Sequence, residues 1–354
     1  MRNQRAFKSL YAAATAGFAA TVAISIGAGP ALAQEVTIKI ADSLPAEHLI
    51  TKYTTNVFME KLKAEFGDRI KFEHYPAQQL GKASDMLTLT QAGIADIGYI
   101  GPSYVSEKMP LSNVADLPGI ASSSCEATLA FYDLVTNGGM LDEAEFKPNG
   151  IRVIYNVAQA PYQAVFSKRA GVAKLADFAG KKIRANAGAM ELTLQSTAST
   201  AVRMAPPEIF DAMSKGTVDG ALLPFASMFS YGLDQIAGSS TQGANFGTVG
   251  VTFSMSQAKW DALPKDMQEA FARVGREVTE SGCHAFDVGE AELARKLAEE
   301  GATVFKLSPE DTEALNTKME GVTTDWAKLL DGRGQKGSEA LSAYREAVKA
   351  HAAH

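Results

Sequence analysis

The chain has 354 residues, with 34 Lys and Arg against 40 Asp and Glu, a formal net charge of −6 at neutral pH. That acidity argues against nucleic acid as a partner. The 46% hydrophobic content is that of a globular chain rather than a disordered one. Residues 1–33 read as an export leader. Arg2, Arg5 and Lys8 precede an apolar, small-residue run over 10–27, and Ala31-Leu32-Ala33 is an A-x-A cleavage signal. Cleavage after Ala33 leaves 321 residues and a net charge of −9, because the leader holds three positive and no negative residues. A periplasmic location is therefore expected. No Cys follows the apolar run, so no lipid anchor is expected, and no later segment is long and apolar enough to span a bilayer.

The length left after cleavage exceeds what one core usually fills, so two domains are expected. In chain order, 36–41 alternates as a first strand, 49–66 has helical spacing, and 69–75 alternates again. A helix over 85–92 closes at Gly93, and a strand over 94–100 leads into Gly101. The extended stretch 151–167 is expected to cross between lobes as a hinge. The segment 177–225 reads as strand, helix, strand, helix, strand, which implies a parallel or mixed sheet covered by helices. Within it Lys182, Arg184 and Asn186 share one strand face. A helix starting at Pro206-Pro207 ends at Gly216, and 218–223 returns to strand. A long helix is expected over 264–300. Further helix follows from Ser308, with a break at Asp331 to Gly334 and a frayed tail from Lys349. The expected organisation is lobe 1 over 34–155, lobe 2 over 156–255, and helices over 256–354 packing across both.

Two stretches echo each other. Both 87–98 and 210–221 are a helix, a Gly, two residues, an Asp and a strand, with Gly93 matching Gly216 and Asp96 matching Asp219. This suggests two similar α/β lobes offering strand ends to a shared cleft.

The search for catalytic chemistry is mostly negative. H-E-x-x-H, G-x-S-x-G, a phosphate loop and G-x-G-x-x-G are absent. Ser256-Gln-Ala-Lys259 matches S-x-x-K formally but lacks its companion motifs, and Ser256 reads better as a helix N-cap. The five His are scattered, apart from His351 and His354 at the end, so no metal or cofactor is expected. No enzyme activity is expected. Cys125 and Cys283 are compatible with a disulfide or with two separate buried thiols. Arg184, at a strand end facing the cleft, suits bidentate contact with a carboxylate; the alternative is an ordinary surface Arg. Tyr99, Gly101, Tyr104, Tyr155, Tyr162, Leu223, Phe225 and Tyr231 lie near predicted strand ends, where several together suit an apolar pocket with a few polar anchors. Asp42 and His48, just beyond the first strand, and Asn186 join the candidates.

These residues bring a family into view. The chain resembles the DctP-type solute receptors of tripartite ATP-independent periplasmic (TRAP) transporters over nearly all of its mature length. The resemblance rests on Tyr75-Pro-Ala-Gln-Gln-Leu-Gly81, residues 87–96, Ser167-Lys-Arg169, residues 175–184, residues 204–208, Gly216-Thr-Val-Asp-Gly220 and Trp260-Asp-Ala-Leu-Pro264. It implies a two-lobed α/β periplasmic binding protein, type II-like, with hinge strands and a long helix spanning both lobes. It also implies capture of a small organic acid and delivery to integral membrane permease subunits. Arg184 takes the place of the family's carboxylate anchor. Gln163 stands where many members carry a second Arg, and Leu222-Leu223 stands where many carry Glu-Asn. These departures point to a monocarboxylate with an apolar part. The receptor is expected to be a monomer. The competing readings are a receptor for an ABC importer or a sensor, or a ligand that is not a carboxylate.

Overall fold

A computed structural model describes residues 35–352. The expected leader lies outside the described residues. In chain order the elements are β1 (Val36–Ala41), α1 (Asn56–Phe66), β2 (Ile70–Tyr75), α2 (Met86–Gln91), β3 (Ile97–Ile100), α3 (Ser124–Val135), β4 (Ile151–Ala158), β5 (Gln163–Ser167), β6 (Lys182–Ala185), α4 (Ala189–Ser196) and β7 (Thr200–Arg203). Then come α5 (Ile209–Lys215), β8 (Gly220–Leu223), α6 (Phe225–Ser230), β9 (Ala237–Thr241), β10 (Gly250–Ser256), α7 (Gln257–Ala262), α8 (Lys265–Glu299), β11 (Thr303–Phe305), α9 (Pro309–Asp331) and α10 (Gly337–His351).

The strands form two mixed sheets, one per lobe. The first has the order β2-β1-β3-β10-β4 and the second β11-β9-β5-β8-β6-β7. β1 is parallel to β2 and β3, and β6 is parallel to β7 and β8, as crossover helices require. β10 runs antiparallel to β3 and β4, and β5 antiparallel to β8 and β9. The described chain passes between sheets three times, from β4 to β5 through 159–162, from β9 to β10 through 242–249, and from β10 to β11 through α7 and α8. The stretch expected as one hinge strand is thus two strands in different sheets. The lobe boundary expected after Tyr155 falls inside β4, and β10, assigned from sequence to lobe 2, is paired in the first sheet.

The echo in the sequence corresponds to one device built twice. In the first lobe Lys39 and Asp96 exchange two hydrogen bonds: Lys39 N–H to Asp96 Oδ2 (2.8 Å) and Asp96 N–H to Lys39 C=O (2.9 Å). In the second, Lys182 N–H reaches Asp219 Oδ2 (2.8 Å) and Asp219 N–H reaches Lys182 C=O (2.7 Å). Each Asp ties the entry of one strand to its parallel neighbour. The preceding Gly93 and Gly216 both adopt positive φ, 70° and 76°, to end their helices.

The long helix α8 spans 35 residues. Its apolar face (Met267, Phe271, Val274, Val278, Phe286) is buried against both lobes' shared core. Cys125 and Cys283 form a disulfide with Cα atoms 4.7 Å apart, which joins the start of α3 to α8. Ser256 caps α7 by accepting the Lys259 N–H. The tail corrects the expectation of fraying. α10 continues to His351, whose Nε2 lies 2.8 Å from Asp133 Oδ2, and Tyr344 and Val348 are buried.

Candidate functional site

Arg184 sits on β6, whose neighbour β8 pairs Ala221 with both Arg184 and Val165. The guanidinium therefore lies over the carboxyl end of the second sheet. It is 0% exposed. Nε donates to Met204 C=O (3.0 Å), Nη1 to Leu222 C=O (3.4 Å) and Nη2 to Asn186 Oδ1 (2.6 Å). Among the described residues no carboxylate pairs with it. An Arg side chain stays charged in any protein environment, so this is a buried positive charge held only by neutral acceptors. Asn186 is fixed by accepting from Arg184 at Oδ1, which leaves its Nδ2 to donate elsewhere. That Nδ2 is buried and has no hydrogen-bond partner among the described residues.

Tyrosines surround this pair. Burial raises the Tyr104 phenol, while the charge of Arg184 and hydrogen bonds with Arg184 and Tyr99 pull it back. Tyr162 and Tyr231 are likewise raised by burial and feel both Tyr104 and Arg184. Tyr99, at the end of β3, is buried within reach of Tyr104, Tyr162 and Tyr231. Gly101 makes room for this cluster: a Cβ there would lie 2.8 Å from the Tyr104 ring. Leu223 and Phe225, at the end of β8 and the start of α6, are buried in the same core as Tyr99 and Tyr162. So strand ends from both lobes converge on one charged, aromatic cluster, with Arg184, Asn186, Tyr99, Gly101 and Tyr104 together.

Four other candidates have partners of their own, although His48 also lies against the Tyr231 ring, centroids 5.8 Å apart. Asp42 Oδ1 accepts the Leu44 N–H (2.8 Å) and Oδ2 pairs with His74 Nε2 (2.7 Å), which stiffens the loop after β1. Burial raises its carboxyl against the pull of His74. Tyr155 is not in the cluster: its ring stacks on Phe253 (centroids 4.5 Å apart) and its hydroxyl donates to Thr55 Oγ1 (3.1 Å). Gln163 is not free to replace a second cation. Its amide donates to Ala244 C=O (2.7 Å) and accepts from Thr241 Oγ1 and Ala244 N–H, pinning the loop after β9. His48 bridges the lobes. Its Nδ1 accepts the Ile50 N–H (3.1 Å), so Nε2 carries the proton toward Ser227 Oγ (3.3 Å), which in turn donates to Gln159 Oε1 (2.7 Å). Burial pushes the His48 imidazole down to about 3, so it is neutral.

Sequence reasoning missed three features. Asp116 is fully buried, and burial pushes its carboxyl up to about 8, against the Ser103 hydroxyl and the Gly250 N–H. Asp116 Oδ2 and Ser103 Oγ nevertheless complete no hydrogen bond. Gly188, with φ of 78°, brings α4 against the other lobe: a Cβ there would lie 3.1 Å from Asn113 Oδ1. Glu290 of α8 accepts the N–H groups of Phe225 and Ala226, both at 2.9 Å. A buried acid, a glycine and an acid on a long helix carry no local sequence signal of these roles.

Three comparisons bear on the site. A profile of bacterial extracellular solute-binding proteins, family 7 (DctP), matches residues 40–329. A solute-binding protein of Albidiferax ferrireducens is 28% identical over 286 residues, 78% of this chain and 82% of that one. Two solved structures share the fold. One is a marine metagenome TRAP solute binding protein specific for aromatic acid ligands, in complex with 3-hydroxybenzoate, with TM-score 0.82, 23% identity, 90% of this chain and 99% of that one covered. The other is a TRAP solute binding protein from Rhodoferax ferrireducens with copurified benzoate, with TM-score 0.81, 23% identity and 90% and 98% covered.

Proposed function

Since the chain belongs to the DctP family of bacterial extracellular solute-binding proteins and is a two-lobed receptor for an organic acid, we propose that its solute is a monocarboxylate with an aromatic body. The observation that carries this is the buried, unpaired charge of Arg184. A buried charge without a partner is several kcal/mol less favourable than the same charge in water, by an order-of-magnitude reckoning. One carboxylate removes that penalty. Two acids lie within electrostatic reach of the surrounding tyrosines. Asp42 is paired with His74 and Asp116 is held neutral by burial, so neither neutralises the guanidinium. A dicarboxylate would bring one charge too many, since Gln163 supplies no second cation.

Asn186 Nδ2 supplies a second donor beside the guanidinium, and the tyrosines with Leu223 and Phe225 supply faces for a ring. The two fold relatives that bind benzoate and 3-hydroxybenzoate support an aromatic body. Solute capture between lobes suits delivery to a membrane permease by a chain exported with cleavage after Ala33. A thermal-shift panel of aromatic and aliphatic mono- and dicarboxylates tests the reading. Ligand binding to the native state raises its stability by about 2.7 kcal/mol at one hundred times Kd. Benzoate-type acids should raise the midpoint by several degrees, and dicarboxylates of similar size should not. A panel in which only dicarboxylates or neutral solutes shift the midpoint would overturn it.

A further inference from the structure

Cys283, Asp287 and Glu290 follow at spacings of four and three residues along α8, so they share one face. Cys283 is bonded to Cys125, and Asp287 accepts the N–H groups of Ser124 (2.6 Å) and Cys125 (3.0 Å), the first turn of α3 in the first lobe. One turn on, Glu290 accepts those of Phe225 and Ala226, the first turn of α6 in the second lobe. The same helix thus caps one helix from each lobe. The two attachments differ in kind. That to lobe 1 is covalent as well as hydrogen-bonded. That to α6 is non-covalent: among the described residues the hydrogen bonds come from Glu290, and Lys296 Nζ lies over the Phe229 ring, 4.7 Å from its centroid, further along.

What α6 carries makes this attachment matter. It begins directly after Leu223 and Pro224, the end of β8 beside Arg184, and it presents Ser227 to His48 of the first lobe and to Gln159 of the crossing segment. We propose that Glu290 is a positioning residue for the solute site: it fixes the first turn of α6, and with it the Leu223–Phe225 wall, against a helix already fastened to the opposite lobe. The proposal rests on the reading of the Arg184 cleft as the solute site. Loss of Glu290 leaves two amide donors without acceptors and lets the wall drift from the tyrosines facing it. The bound state should then break more easily while the encounter with solute is unchanged.

Stopped-flow binding of benzoate separates these. Glu290→Ala should raise the dissociation rate about tenfold, roughly the worth of one helix cap, with the association rate within about twofold. Glu290→Gln keeps one acceptor oxygen and should fall between the two. Asp287→Ala, whose helix the disulfide still holds, should change the dissociation rate little. Hydrogen exchange without solute adds a second readout: Glu290→Ala should expose the Phe225 and Ala226 amides, Glu290→Gln should expose one of them, and both should leave those of Ser124 and Cys125 protected. Arg184→Ala is run in parallel. If it loses benzoate while Glu290→Ala keeps the parent dissociation rate, the positioning role is wrong and the site reading stands. If Arg184→Ala binds normally, or the parent chain binds no benzoate, the site reading falls and takes this inference with it. Unchanged exchange at Phe225 and Ala226 would overturn the cap itself. Should Glu290→Ala not fold, Glu290→Gln carries the comparison.

Discussion

Replacing Arg184 by Ala separates affinity from stability. The guanidinium is 0% exposed and donates to three neutral acceptors, Met204 C=O, Leu222 C=O and Asn186 Oδ1. Its removal takes away those bonds, each worth about 1 kcal/mol net, but also a buried charge whose desolvation opposes them. The two effects offset, and the ligand-free midpoint should move by only a few degrees. With solute bound the balance differs. The carboxylate would be left buried with only Asn186 and tyrosine hydroxyls as donors, and truncating one partner of such a pair typically costs about 2–5 kcal/mol. At about 1.4 kcal/mol per tenfold, affinity should fall on the order of 30- to 1000-fold. Arg184→Lys should recover part of this, because an ammonium cannot reproduce the planar fork or keep both Met204 C=O and Asn186 Oδ1 in reach. Isothermal calorimetry with the best acid from the panel, beside thermal melts of the free variants, measures both quantities. Parent affinity in Arg184→Ala would refute the reasoning, as would a loss of affinity matched by an equal loss of ligand-free stability.

Reduction of the Cys125–Cys283 bond, which closes a loop with a sequence separation of 158, should destabilise the chain by up to about 5 kcal/mol on the chain-entropy account; melts with and without reductant measure it. Asp116 titrates at about 8 in the folded chain against 3.8 unfolded, so the folded state binds the proton more tightly and the stability this gives is lost as pH rises from about 4 to 8. Asp116→Asn, a neutral isostere, should melt near the parent at pH 4 and above it at pH 8, and a difference independent of pH would contradict the assignment. Gly188→Ala adds strain at a φ of 78° and a Cβ 3.1 Å from Asn113 Oδ1 across the cleft, so affinity should drop several-fold. Asn113→Ala in the same chain should restore the part due to contact, which calorimetry would show.

How much of this was legible in sequence depended on whether the signal was local. β1, β2, the helix closing at Gly216 and the 35-residue α8 follow from periodicity and turn residues lying next to each other in the chain. Arg184 and Asn186 were placed together because strand alternation alone puts them on one face. The sequence is silent where a distant partner decides. Gln163 looks like an unfilled anchor position until the loop at Thr241 and Ala244 closes on it. Tyr155 looks like a cleft residue until Phe253 and Thr55 claim its ring and hydroxyl. The tail reads as polar and frayed, yet Asp133 meets His351 some 218 positions away. The cysteines were two thiols or one bond on the sequence, and only the fold decided by bringing their Cα atoms to 4.7 Å.

The repeated Asp lock explains why the site lies where it does. Asp96 and Asp219 each fasten the start of a strand to its parallel neighbour, so the two strands leave the lock in a fixed register, Ile40 beside Ile97 in the first lobe and Ile183 beside Gly220 in the second. In the first lobe those ends deliver Tyr99 and Gly101; in the second they deliver Arg184 and Leu223. The two sets of ends then face each other only if the lobes are held at a fixed separation, which neither sheet can supply by itself. α8 supplies it by capping a helix from each lobe at points one turn apart. The charge asymmetry follows from the same arrangement. To this cluster the second lobe brings the guanidinium of Arg184, a permanent cation, whereas the first brings the phenols of Tyr99 and Tyr104 and an acid that burial keeps neutral. An anion that entered this cluster would therefore meet charge from one lobe and ring faces and hydroxyls from the other. On the proposed reading neither lobe alone completes the site, so closure and recognition would be the same event.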